Sequence, residues 1–106
     1  LVDNKFINNF HKEFYLLNTA RGKCVNTRAL VSSLKKGKIK GVCLDVLEYE
    51  KTSFEKIDNN KITTDLQYLI KSNKAILSPH IAGWTQESNT KIAKILFKKI
   101  NSDFLK

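Results

Sequence analysis

Three places along the chain carry side chains able to do chemistry together. Arg21 closes the polar turn Asn18-Thr19-Ala20-Arg21-Gly22, Asp45 sits near the end of Gly41-Val42-Cys43-Leu44-Asp45-Val46 with Glu50 close behind, and His80 follows Ser78-Pro79. An arginine holds a carboxylate by two parallel hydrogen bonds and polarises a neighbouring carbonyl. A histidine takes or returns a hydroxyl proton near neutral pH, and a carboxylate on its far ring nitrogen fixes the tautomer and favours the charged ring. Such a set suits interconversion of a 2-hydroxy acid and a 2-keto acid, with hydride passing to or from a nicotinamide. The same residues also describe an ordinary Arg–Glu ion pair beside a histidine that caps a turn. Residue types and spacing alone leave the two readings level.

Each of these groups stands at the end of an apolar run. Phe14-Tyr15-Leu16-Leu17 reads as a strand buried on both faces, Gly41–Val46 as a second buried strand, and Ala75–Leu77 as a third, stopped by Pro79. Between them lie helical patterns. Asn26 caps a helix over 27–36, with Ala29, Leu30 and Leu34 inward and Gly37 ending it. A helical turn is predicted at 66–70 within an otherwise polar and irregular stretch, 51–73. Asp3 or Asn4 caps a short helix through Phe10, with Phe6, Ile7 and Phe10 on one face. From Glu87 to about Phe104, Ile92, Ala93, Ile95, Leu96 and Ile100 form an apolar stripe with lysines outside it. Strand, helix, strand, helical turn, strand, helix is the rhythm of a parallel α/β sheet. In such a sheet the carboxyl ends of the strands share one rim, and ligands bind there.

With 106 residues and a hydrophobic fraction of 42%, the chain suffices for one small globular domain and not for two. Nineteen Lys and Arg against ten Asp and Glu give a net charge of +9. A solvated lysine surface and attraction to polyanions are both open on that number, although the arginine-rich or aromatic-interleaved surface of a nucleic-acid binder is missing. Cys24 and Cys43 show neither CxxC nor metal-ligand spacing, so no metal is expected, and two free thiols fit a reducing, cytoplasmic compartment. No apolar run approaches the length of a membrane span, so no membrane partner is expected. His11 lies among charged residues and receives no role. Trp84 reads as a packing residue. No GxGxxG turn is present, which leaves half of a dinucleotide-binding fold unaccounted for.

Three stretches together resemble the D-isomer-specific 2-hydroxyacid dehydrogenases. Asn18-Thr19-Ala20-Arg21-Gly22 followed by Val25, Ala29-Leu30, Leu34 and Gly37 is similar to their NxARGxxVxxxALxxALxxG signature, with Ser33 in place of its last alanine. Gly41–Val46 with Glu50 resembles GxxLDVxxxE, and Ser78-Pro79-His80-Ile81-Ala82-Gly83 resembles [ST]PHIxG. Lys51 stands where many relatives have proline. The resemblance implies a Rossmann-like half-domain of three main strands with flanking helices: residues 1–106 as the carboxyl-terminal half of an NAD-binding domain, without the GxGxxG half or the substrate domain. It implies Arg21 as the substrate-carboxylate ligand, His80 as the acid–base residue and Glu50 as its carboxylate partner. NAD contacts fall on Thr19, Ala20, Arg21, Asp45, His80, Ala82 and Gly83, with Asp45 receiving the nicotinamide carboxamide. The tryptophan after the histidine motif is most similar to chains described as D-3-phosphoglycerate dehydrogenases, which implies serine biosynthesis. A corepressor on the same fold makes a cofactor-sensing interaction module the alternative. A half-domain with an unpaired edge strand is also expected to associate into homo-oligomers.

Overall fold

Asp3 opens the first element by accepting the Phe6 N–H at 2.8 Å on its carboxylate, and α1 (Asn4–Asn8) follows. The computed structural model describes residues 1–49 and 62–104. Only Ile7 of α1 reaches the core; Phe6 and Phe10, expected on the same helix face, remain 42% and 39% exposed. They instead meet edge to face at 5.4 Å, and Phe10 stacks on Phe14 at 4.2 Å. That aromatic file leads into β1 (Phe14–Asn18).

After β1, a single 3-10 turn at Gly22–Cys24 leads to α2 (Thr27–Lys35). The Asn26 side chain caps α2 through the Ala29 N–H at 2.9 Å, and Gly37, at φ +77°, turns the chain away after its last residue. Nine residues are too few for a helix to stand alone in water. Leu30 and Leu34, 1% and 0% exposed, each contribute roughly 2 kcal/mol by burial, against about 1 kcal/mol for the cap. Packing on the sheet therefore decides this helix. Next come β2 (Ile39–Leu44), α3 (Thr64–Lys71), β3 (Ala75–Leu77) and α4 (Gln86–Phe104).

The three strands are parallel, in the order β1-β2-β3. Asn18 lies opposite Leu44, and Leu44 opposite Leu77, so the three carboxyl ends are level. On one face Ile7, Leu30, Leu34 and Leu69 pack with Phe14, Leu16, Val42, Leu44 and Ala75. The architecture is the expected α/β half-domain with flanking helices. Helix α3 is longer than the predicted turn because Thr63 caps it and Leu66 and Leu69 bury in the core.

The other face departs from expectation. Tyr15 and Leu17 are each 69% exposed and Ile76 67%, so β1 is covered on one side only among the described residues. Alternation along the strands sets Tyr15, Leu17, Cys43 and Ile76 on this open face, and Leu17, Cys43 and Ile76 are register neighbours across it. The stripe on α4 is likewise not core: Ile92, Ile95, Leu96 and Ile100 are about half exposed. Trp84, expected as a packing residue, is 60% exposed. Among the described residues no helix is long and apolar enough to cross a membrane.

A contiguous apolar sheet face of this kind drives association. The 106-residue chain should form dimers or larger species at high concentration, and the double variant Leu17→Lys, Ile76→Lys should return it toward the monomer. Light scattering over a concentration series checks this; a wild-type chain that stays monomeric would show that the face is not a driving surface.

Candidate active site

Asn18 ends β1 and shapes the loop that follows. Its buried side chain accepts the Ala20 N–H at 3.1 Å and donates to the Arg21 carbonyl at 2.9 Å, while its own carbonyl accepts the Asp45 N–H at 3.0 Å. The loop is thereby tied both to itself and to β2. Thr19, Ala20 and Arg21 are exposed on it, and the Arg21 guanidinium donates to the Ala20 carbonyl at 2.7 Å. The guanidinium thus folds back on its own loop, and the residue as a whole stays exposed.

Gly22 lies against the chain leaving β2. A Cβ at this position would stand 1.9 Å from the Leu47 carbonyl oxygen and 2.2 Å from the Leu47 carbonyl carbon. Only glycine lets the two loops approach this closely. From the same segment Glu48 reaches across to accept the Thr27 N–H at 2.7 Å, which places a carboxylate at the amino end of α2. Glu48 is thus a helix-capping acid. Glu50, the expected partner of His80, lies outside the described residues.

Asp45 begins the next loop and is 3% exposed. Its Oδ1 accepts the Ser78 hydroxyl at 2.5 Å and the Ile81 N–H at 2.9 Å, and its Oδ2 accepts the Ala82 N–H at 2.9 Å. Burial, the largest single influence, works to raise its pKa. The Ser78 hydroxyl, the Ala82 and Ile81 N–H groups and, least, the nearby His80 together outweigh burial, and the carboxyl group sits below its ordinary value. A charged carboxylate is therefore held under the loop that carries His80. That loop is pinned to the sheet as well, since the Ser78 N–H donates to the Leu44 carbonyl at 3.0 Å. His80 itself is half-buried and takes a left-handed backbone at φ +57°. Ala82 and Gly83 follow on the exposed side, with nothing within 4 Å of where a Gly83 side chain would begin.

Level strand ends thus bring the Arg21 loop, Asp45 and the His80 loop onto one carboxyl rim, in the order of the strands. This layout matches a described protein family. The family model "D-isomer specific 2-hydroxyacid dehydrogenase, NAD binding domain" covers residues 1–82. The chain belongs to that family. It is 36% identical to a D-lactate dehydrogenase of Treponema pallidum over 96% of its own length and 30% of the relative's. It is 35% identical to a glyoxylate reductase of Thermofilum pendens, over 94% and 26% respectively. Among solved structures, D-lactate dehydrogenase with NAD+ from Lactobacillus jensenii superposes with a TM-score of 0.70 at 31% identity, covering 92% of this chain and 30% of that one. The chain therefore spans about a third or less of the length of these relatives.

Within this family domain two polar residues do more than their types announced. Asn18 ends β1 and Ser78 directly follows β3, and each organises the loop beyond it. The available signal was position: a short polar side chain at the last strand residue, or just past it, hydrogen-bonds the backbone of the turn that follows.

Two outcomes follow for stability. Gly22→Ala must push Leu47 away and should cost on the order of 1–3 kcal/mol, read as a lower urea midpoint at unchanged slope. Asp45 has a depressed folded pKa, so its contribution is present above the unfolded value of about 3.9 and is lost as pH falls through the folded one. Asp45→Asn should therefore be less stable than wild type at pH 7, with the gap narrowing below about pH 4. Urea midpoints measured from pH 7 down to pH 2 check the sign.

Proposed function

We propose that this chain is the carboxyl-terminal half of the NAD-binding domain of an NAD-dependent D-2-hydroxyacid dehydrogenase, working as part of a longer enzyme. On this reading the GxGxxG half and the substrate domain are contributed by sequence outside residues 1–106. The observation that carries it is the common rim of Arg21, Asp45 and His80 in a chain that belongs to the family. Small 2-oxo acids are the substrate class we favour. The relatives named above are D-lactate dehydrogenases and a glyoxylate reductase, and none is a 3-phosphoglycerate enzyme. The two cysteines are both free thiols, which fits a cytoplasmic enzyme, and the open sheet face fits a homo-oligomer.

The residues present fit NAD. Ala20, Ala82 and Gly83 keep the rim low, and the open space beyond Gly83 leaves room for a flat ring. Thr19, Ala20 and Arg21 would line one side and Ala82 and Gly83 the other. Asp45 Oδ2, which accepts the Ala82 N–H, has capacity for a second donor, as a nicotinamide carboxamide would provide. When bound, NAD supplies the hydride acceptor. Arg21 binds the substrate carboxylate in a fork and fixes the 2-carbon toward the cofactor. His80 removes the hydroxyl proton as the C–H hydride departs and the C–O bond becomes a carbonyl. In the reverse direction His80 returns that proton to the oxygen. Glu50 is the carboxylate we assign to support the charged ring.

Oxidation needs the neutral histidine and reduction the charged one, so the oxidative rate should rise with pH and the reductive rate fall. His80→Gln should lower kcat in both directions by about 10²–10⁴-fold, while Arg21→Gln should raise KM as well as lower kcat. Glu50→Gln should move the reductive limb to lower pH. Steady-state kinetics of the full-length enzyme with D-lactate and NAD, and with glyoxylate and NADH, test the set; full activity in His80→Gln would sink the assignment. The 106-residue chain alone, with no phosphate-binding turn, should show no micromolar NAD affinity by calorimetry.

A further inference from the structure

We propose that Ser78 is a positioning residue for His80, setting the imidazole through the carboxylate of Asp45. The inference rests on His80 being the proton-transfer residue, and it concerns what holds that residue in place.

His80 has an uncommon backbone. At φ +57° it sits in the left-handed region, where a residue with a Cβ is crowded against the following carbonyl oxygen. Histidine tolerates the region better than most, yet it does not stay there without support. The support is a closed set of hydrogen bonds around residues 78–82. Ser78 is fixed twice, through its N–H on the Leu44 carbonyl at 3.0 Å and through its hydroxyl on Asp45 Oδ1 at 2.5 Å. The Ile81 N–H returns to the same Oδ1 at 2.9 Å, and the Ala82 N–H goes to Oδ2 at 2.9 Å. Pro79 and His80 are the two residues enclosed between the Ser78 and Ile81 anchors. Pro79 has a fixed φ, and the residue before a proline is biased to extended backbone. His80 is therefore where the chain must reverse, and its N–H folds back on the Ser78 carbonyl at 3.1 Å.

The Ser78 hydroxyl enters this ring of bonds from a side chain, where Ile81 and Ala82 enter through the backbone, and removing it spares the sheet. The backbone bond from Ser78 to Leu44 remains, and so do the two N–H groups on Asp45. What changes is the upstream anchor of the turn, and with it the direction in which His80 leaves the backbone. Proton transfer is sensitive to that direction, since a displacement of about 1 Å can cost on the order of a hundredfold.

The test compares Ser78→Ala, Ser78→Thr and His80→Gln. In the 106-residue chain, amide hydrogen exchange at Ile81 and Ala82 should quicken in Ser78→Ala and stay slow in Ser78→Thr, which keeps the hydroxyl. In the full-length enzyme, Ser78→Ala should lose about tenfold to a hundredfold in kcat with KM for substrate and NAD nearly unchanged, and Ser78→Thr should recover most of it. If the alanine variant does not fold, Ser78→Cys, with similar shape and only a weak donor, replaces it. Wild-type kcat and wild-type exchange in the variant lacking the hydroxyl, beside an inactive His80→Gln, overturn the positioning role and leave the proposed function standing. An active His80→Gln overturns the proposed function instead, while the exchange rates still report whether Ser78 holds the turn.

Discussion

The carboxylate of Asp45 is the constraint on which the site depends. A buried charge of this kind is unfavourable unless hydrogen bonds replace the water it has lost. Here they come from the Ser78 hydroxyl and the Ile81 and Ala82 N–H groups, all on the loop between β3 and α4. The arrangement works in both directions. The loop satisfies the acid, and the acid gives an otherwise irregular loop one shape. Because the Asp45 N–H also donates to the Asn18 carbonyl, the same residue ties the loops of all three strands to a common reference.

This explains why the side chains of the rim stand on loops yet need not be loosely placed. Precision in a site requires supporting groups whose own positions are locked. Asn18 locks the Arg21 loop, Gly22 allows it to lie directly on Leu47, and Glu48 ties the following segment to α2. Arg21 and His80 then differ in a way that suits different work. Arg21 is exposed with its guanidinium on the Ala20 carbonyl, whereas His80 is half-buried on a loop that Asp45 holds through the Ile81 and Ala82 N–H groups.

Much of this was legible in the chain because the strand ends carry their own punctuation. Pro79 after Leu77, Gly37 after α2 and Asn26 before it each act through local backbone chemistry, and each element they bound formed as read. The covering of the faces was not legible. Phe14-Tyr15-Leu16-Leu17 is apolar at every position, which marks a strand with two dry faces but does not say which segment dries each one. The stripe on α4 has the same property: periodicity tells a helix which side to hide, not what it hides against. The left-handed turn at His80 was also hidden, because it arises from a contact between residues 45 and 78–82 that no local pattern encodes. Glu50, the acid read as the histidine's partner, lies outside the described residues, so its reading stands on the sequence alone.

The two halves of the result bear on each other. One face of the sheet is sealed by α1, α2 and α3 around Leu30, Leu34, Leu66 and Leu69, and the rim geometry is built from hydrogen bonds among strand ends on that sealed sheet. None of those hydrogen bonds involves Tyr15, Leu17 or Ile76 on the open face. The site's internal order and the covering of the open face are thus separable in physical terms. The rim can hold its shape through short polar contacts that need only three strands, while the apolar side calls for further protein surface to exclude water. A strand end is a good place for such a site for this reason. Its backbone is held by the ladder behind it, and its loop remains free to be shaped by one buried acid and one hydroxyl.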